Sequence, residues 1–147
     1  MKTVLFILAG KDFRDAEYFI HSEIIKKAGH QIFAASDIKT GDIAIGADGG
    51  EVPVNYNITE VNPENFDLII FVGGPGALKH LDNEESYKIA RLTVEKNKKL
   101  AAICIAPIIL ARAGVLKNKK ATVWSSEMDK KPIKILTENG ALYINQL

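Results

Sequence analysis

Continuous apolar runs alternate along this chain with stretches of helical spacing, and this alternation restricts the possible folds more than any other feature. An unbroken apolar run is typical of a strand that is covered on both faces. The predicted strands lie at residues 4–9, 31–35, 67–72, 100–103 and 121–124, and the predicted helices at 16–28, 84–97, 108–113 and 132–139. We therefore predict an α/β fold, a flavodoxin-like three-layer sandwich with a mainly parallel sheet between two layers of helices.

Turn residues refine this prediction. Asp15 is expected to cap the first helix, Gly29 to end it, and Gly140 to end the last. Two short extended segments, 43–45 and 52–54, predict a peripheral hairpin. A final extended segment is expected at 141–144. Neither a linker nor a repeat interrupts the sequence, so we predict a single domain over residues 1–147.

Charge and cysteine content exclude several classes of function. Nineteen basic and eighteen acidic residues leave a net charge of +1, which gives no field to attract nucleic acid or a membrane surface. No apolar run is long enough to span a membrane and no signal-peptide cleavage site follows the start, so a cytoplasmic location is expected. The single cysteine cannot form an intramolecular disulfide or a cysteine-clustered metal site. We expect neither a metal nor a cofactor.

That cysteine, Cys104, lies where the apolar run at 100–103 passes into the predicted helix at 108–113. Open α/β sheets bind ligands at the carboxyl ends of their strands, and a helix amino terminus favours thiolate over thiol. The position therefore suits a nucleophile. The alternative is a buried cysteine that serves as a small hydrophobic side chain in the core.

Two further segments are expected at the same edge of the sheet. The turn Gly73-Gly74-Pro75 closes the strand at 67–72 and offers bare backbone N–H groups. Glu17, on the first turn of the first helix, would direct a carboxyl group towards the thiol. Its other interpretation is a surface residue that complements the helix dipole.

Several motifs in combination resemble the PfpI-like family of intracellular proteases and DJ-1 proteins, and the resemblance covers nearly the whole chain. They are Phe13-x-Asp15-x-Glu17, Gly73-Gly74, Ala102-Ile103-Cys104-x-x-Pro107 and Ala113-Gly114-Val115-Leu116. The resemblance implies a flavodoxin-like fold and a dimer or an assembly built from dimers. It further implies that Cys104 is the nucleophile-elbow cysteine, that Glu17 hydrogen-bonds its sulfur, and that the N–H groups of Gly74 and Ile105 line an oxyanion pocket.

The proton state of the carboxyl group decides how it affects the thiol. A neutral Glu17 can donate a hydrogen bond to a thiolate, whereas a carboxylate would repel it. We therefore predict a protonated Glu17 beside an easily ionised Cys104. Such a thiolate would attack an aldehyde or acyl carbon, or would be oxidised to a sulfinate.

The chain departs from the family pattern at its histidines and at its carboxyl end. Ile105 and Trp124 occupy the two positions from which relatives supply a histidine, although Trp124 is still expected to line the pocket. His21, one helical turn beyond Glu17, is a possible substitute base or a plain helix-face histidine. The family's closing strand and helix are not matched by this sequence, and oligomerisation is expected to cover the surfaces that they would occupy.

Two functions remain open from the sequence. The first is a cysteine-dependent enzyme that acts on small reactive carbonyls, in the manner of a glyoxalase or deglycase, with peptides as a second substrate class that lacks the usual histidine. The second is a non-enzymatic redox sensor or chaperone-like stress protein in which Cys104 is oxidised. The expected partners are a small electrophile or a peptide, and other copies of the chain in a homodimer or larger homo-oligomer.

Overall fold

A computed structural model describes residues 1–145 of the chain. The strands are β1 Thr3–Ile7, β2 Lys11–Phe13, β3 Gln31–Ser36, β4 Ile43–Gly46, β5 Glu51–Pro53, β6 Tyr56–Asn57, β7 Leu68–Phe71, β8 Lys99–Ala102, β9 Lys120–Ala121 and β10 Leu142–Tyr143. The helices are α1 Asp15–Lys27, α2 Ala77–Leu81, α3 Glu84–Glu95, α4 Pro107–Arg112 and α5 Lys131–Glu138. None of these helices is long and apolar enough to cross a membrane.

The central sheet has the order β6-β3-β1-β7-β8, and all its neighbouring strands are parallel. Side chains of β1 alternate between two buried clusters, with Phe6 in one and Leu5 and Ile7 in the other. Both faces of the sheet are therefore covered, which explains why its strands are continuous apolar runs. The predicted α/β sandwich with a parallel sheet is confirmed.

Register brings the carboxyl ends of three strands to one level. Ile7 of β1 pairs with Phe71 of β7, which in turn pairs with Ala102 of β8. The N–H of Ile103 continues this ladder by donating to the carbonyl of Phe71, at 3.0 Å. The segments that follow these strands, which contain Glu17, Gly73 and Cys104, consequently meet at one edge.

The structure corrects two predictions, the extent of the fifth strand and the role of Asp15 as a helix cap. The fifth strand is limited to β9, which pairs with β10 in a separate two-stranded sheet. Asp15 is the first residue of α1 and does not cap it, because its carboxylate accepts hydrogen bonds from the N–H groups of Asp48 and Gly50, at 2.9 and 2.6 Å. Asp15 thus secures the turn between β4 and β5, whose antiparallel pairing confirms the predicted hairpin.

Three short elements were absent from the prediction. They are β2, β6 and α2, which contain three, two and five residues. Segments this short carry too little periodic signal to be recognised in a sequence. Of the three, β2 and α2 matter most for the site, since they flank the segments that hold Glu17 and the Gly73-Gly74 turn.

Candidate active site

Cys104 is held in a strained conformation between β8 and α4. Its φ angle of 60° lies in the left-handed region, which residues other than glycine seldom adopt. The carbonyl of Cys104 accepts a hydrogen bond from the N–H of Trp124 at 2.8 Å, and Pro107 starts the helix immediately downstream. The tight strand-to-helix turn places the partly buried sulfur at the edge of the sheet.

Glu17 is fixed beside this turn by the backbone. The N–H of Gly73 donates to Oε2 of Glu17 at 2.7 Å. A Cβ atom built on Gly73 would lie 2.9 Å from that same oxygen, 2.9 Å from Cβ of Cys104 and 2.8 Å from the carbonyl oxygen of Ile103. The carboxyl group and the cysteine therefore meet over a residue that has no side chain.

Gly74 is required for a different reason. Its φ is 118°, and a Cβ there would lie 2.3 Å from the backbone N of Arg14 and 2.7 Å from the carbonyl carbon of Phe13. Two hydrogen bonds join the turn to the chain around β2, from the N–H of Arg14 to the carbonyl of Gly73 at 3.0 Å and from Gly76 to Asp12 at 2.9 Å. Only glycine lets these two segments approach so closely.

The N–H groups of Gly74 and Ile105 are available to a ligand. Within residues 1–145, neither donates to a protein oxygen atom, while the N–H of Ile105 forms a hydrogen bond that lowers the pKa of Cys104. Both residues line the same cavity as the thiol. The Gly74 N–H is unengaged, and the Ile105 N–H points to the sulfur, so an oxygen bound to the carbon that the sulfur attacks could accept from both, which is the arrangement that stabilises an oxyanion.

The cavity above the thiol has a volume of about 310 Å³ and is mostly apolar. It is lined by Arg14, Gly74, Pro75, Leu78, Cys104, Ile105 and Trp124. A second cavity, of about 320 Å³, lies against Cys104, Pro107 and Trp124. The Trp124 side chain, 47% exposed, contributes to both.

The environment raises the pKa of the Cys104 thiol to about 11. Burial is the largest cause, followed by the charge of the Glu17 carboxylate and by the hydrogen bond that this carboxylate accepts from the thiol. The N–H of Ile105 and the charge of Arg14 act in the opposite direction. The thiol is therefore not easily ionised beside a charged Glu17, and the predicted pair of a protonated Glu17 and an ionised Cys104 stays a prediction. Protonation of Glu17 would remove two of the three causes that raise the pKa and would leave burial.

This raised pKa predicts that the folded protein loses stability at alkaline pH. The unfolded thiol, with a pKa of about 8.5, releases its proton first, so stability is fully present below that pH and is lost as the pH rises towards about 11. Because the group is only partly buried, solvent screening leaves a loss of about 1 kcal/mol. Urea unfolding should show a steeper alkaline decline for the parent than for Cys104→Ser, and equal declines would contradict the prediction.

The histidines lie apart from the thiol. His21 is on the exposed face of α1, where its Nδ1 lies 2.7 Å from the carbonyl oxygen of Glu17, and it does not line the cavity. Nδ1 of His80 lies 2.6 Å from Oδ2 of Asp37. The structure therefore does not bring the possible substitute base to the sulfur. Among residues 1–145, no cluster of three metal-ligating side chains occurs.

Sequence analysis missed two residues of the cavity, Arg14 and Leu78. Leu78 belongs to α2, an element that was not predicted. Arg14 is the first unspecified residue of the Phe13-x-Asp15-x-Glu17 motif, and its charge was the available signal. Its position three residues before Glu17 could have suggested that it faces the same crevice.

Comparison with known proteins agrees with this architecture. A family model described as the DJ-1/PfpI family matches residues 2–146. An uncharacterized protein of Methanocaldococcus jannaschii is 37% identical over 95% of this chain and 66% of its own length. Deglycase PfpI of Pyrococcus furiosus is 35% identical over 80% of this chain and 70% of its own length. A ThiJ/PfpI domain protein of Brachyspira murdochii, seen in a crystal structure, has a TM-score of 0.89 at 25% identity, over 98% of this chain and 79% of that one.

The chain thus spans about two thirds of the length of the two curated relatives. The three-dimensional agreement with the Brachyspira protein covers nearly all of this chain, so the comparison applies to the whole described fold.

Proposed function

The chain belongs to the DJ-1/PfpI family, and on that premise we propose that it is an enzyme whose Cys104 thiol adds to small reactive carbonyl compounds, as in a glyoxalase or a deglycase. The observation that carries the proposal is the joint position of Cys104 and Glu17 over Gly73, at the base of an open cavity. The name of the Pyrococcus furiosus relative, a deglycase, supports the same class of substrate.

In the proposed addition step, the sulfur attacks the carbonyl carbon while its proton passes to the Glu17 carboxylate. A carbon–sulfur bond forms, the carbonyl π bond breaks, and its electron pair becomes the negative charge of an oxyanion. The N–H groups of Gly74 and Ile105 stabilise that oxygen. Return of the proton from Glu17 to the oxygen completes the addition and gives a hemithioacetal.

Glu17 would therefore act as the base that histidine provides in other cysteine enzymes. A thiol with a pKa of about 11 needs such a base, since very little thiolate is present near neutral pH. Peptide hydrolysis receives less support, because a leaving amine must also be protonated and no histidine lines the described cavity.

Turnover of methylglyoxal tests this proposal. We expect the parent to consume it and Cys104→Ala to fall to the buffer rate, since the substitution removes the nucleophile. Alkylation of the parent's only thiol with iodoacetamide should give the same loss. Equal rates for parent, Cys104→Ala and buffer would reject the enzyme.

A second candidate is a redox sensor or chaperone-like stress protein without turnover. It is favoured because none of the three histidines lines the described cavity. The same N–H groups and a protonated Glu17 would stabilise a Cys104 sulfinate. Peroxide treatment followed by mass measurement of the peptide that contains Cys104 should then show two added oxygen atoms in the parent and none in the same peptide of Cys104→Ala, whereas the exposed Met1 and Met128 should oxidise equally in both proteins. Neither protein should consume methylglyoxal.

A further inference from the structure

Arg14 differs from the other two arginines of the chain. Arg91 pairs with Glu84 and Arg112 with Asp82. Within residues 1–145, the Arg14 guanidinium has neither an acidic partner nor a hydrogen-bonded acceptor, and the residue is exposed. An unpaired cation that lines a cavity is free to bind an anion there.

The backbone fixes where this cation stands. Arg14 directly precedes α1, and its N–H donates to the carbonyl of Gly73 at 3.0 Å, next to the turn that holds Glu17. Among residues 1–145, Arg14 is the only residue with a charged side chain that lines the cavity above Cys104, and its charge acts on the sulfur, since it lowers the thiol pKa. The other walls are apolar side chains and backbone.

We propose that this cavity selects carbonyl compounds that carry a carboxylate, and that Arg14 is the residue that binds the carboxylate while Cys104 meets the carbonyl carbon. This inference rests on the proposed function and names its substrate class. Arg14 is suited to the role because guanidinium binds a carboxylate through two parallel N–H groups. The carboxylate of Glu17 opposes anion binding, but it is present in every variant compared below.

Alkylation of the single thiol measures the anion preference directly. Iodoacetate and iodoacetamide have nearly the same size and differ in charge, so the ratio of their rates cancels any change in the fraction of thiolate. We expect Arg14→Gln to lower the iodoacetate-to-iodoacetamide ratio roughly fivefold, the factor given by attraction between two unit charges in a well-solvated site. Added salt should lower the parent's ratio towards that of the variant.

Lys79→Gln is the matched control. Lys79 also carries one positive charge, and it adjoins Leu78 in α2 without lining the cavity. Its substitution should leave the ratio close to the parent's value. An equal ratio in all three proteins would overturn the assignment of Arg14. An equal fall of the ratio in both variants would also overturn it, because surface charge in general would then explain the preference for iodoacetate.

Fluorescence of Trp124 separates this inference from the proposed enzyme activity. Trp124 is the only tryptophan in the chain and lines the same cavity. In a Cys104→Ala background, lactate should bind more tightly than lactamide, and the further change Arg14→Gln should abolish the difference. No difference between lactate and lactamide would overturn the inference even if methylglyoxal is consumed. A lactate preference without Cys104-dependent turnover would uphold anion binding and reject the enzyme.

Discussion

Glu17→Gln is expected to make Cys104 react faster with iodoacetamide and, at the same time, to make the protein much slower with methylglyoxal. The substitution keeps the size of the side chain and removes its charge. One of the causes that raise the thiol pKa to about 11, the carboxylate charge, is thereby removed, while the amide oxygen can still accept a hydrogen bond from the thiol. Proton transfer from sulfur to residue 17 is lost in the same change.

The two effects differ in size. If the thiol pKa falls by about one, the fraction of thiolate near pH 8 rises about tenfold. A less basic thiolate is also a weaker nucleophile, so the alkylation rate rises only roughly threefold. Loss of a positioned proton acceptor costs about a hundredfold or more in turnover. The pH profile of alkylation and the rate of methylglyoxal consumption give both values on the same protein.

Glu17→Ala is the companion variant. It removes the charge and also the hydrogen-bonding group, so alkylation should again accelerate, while turnover stays low. If Glu17→Gln leaves the alkylation profile unchanged, then Glu17 is already protonated in the parent, as the sequence alone had suggested, and repulsion by a carboxylate does not control the thiol. Unchanged methylglyoxal turnover in Glu17→Gln would instead remove the carboxyl group from the proposed addition step.

The turn at Cys104 and the position of Glu17 beside it are the parts of the site that chain order indicates. The strand-to-helix turn at Cys104 was predictable, because an apolar run, a lone polarizable residue and Pro107 follow one another in the sequence. The approach of Glu17 to Cys104 followed from the rule that parallel strands end at one edge. Both predictions depend only on the order of strands and helices and on a parallel sheet, and the apolar runs in the sequence indicate both.

Properties that depend on several groups at once were not predictable. The direction of the thiol pKa shift results from burial, one anion, one cation and one N–H group, and no single residue type indicates their balance. Asp15 similarly lies where the sequence predicts a helix cap, but its carboxylate accepts hydrogen bonds from two N–H groups of the hairpin turn instead. Arg14 went unnoticed because the absence of an acidic partner becomes visible only in three dimensions.

Gly74 connects the fold to the site, and Gly74→Ala is expected to cost about 3–5 kcal/mol of stability. About 1–2 kcal/mol comes from a left-handed backbone with a Cβ atom, since φ is 118°. The remainder comes from the contact at 2.3 Å with the backbone N of Arg14, which can be relieved only if the turn moves away from the chain around β2. That movement would also displace an N–H group of the proposed oxyanion pocket and the backbone of Arg14.

Gly29→Ala provides the matched control for that substitution. Gly29 has a φ of 83°, and a Cβ atom there would meet nothing within 4 Å. Gly29→Ala should therefore lose only about 1–2 kcal/mol of stability, the cost of a Cβ atom on a left-handed backbone. Urea unfolding of the two variants, with iodoacetamide reactivity measured on the folded fraction, separates conformational strain from close approach. Equal losses of stability would show that the turn can yield at Gly74 without cost, and that the contact between Gly74 and Arg14 does not hold the site together.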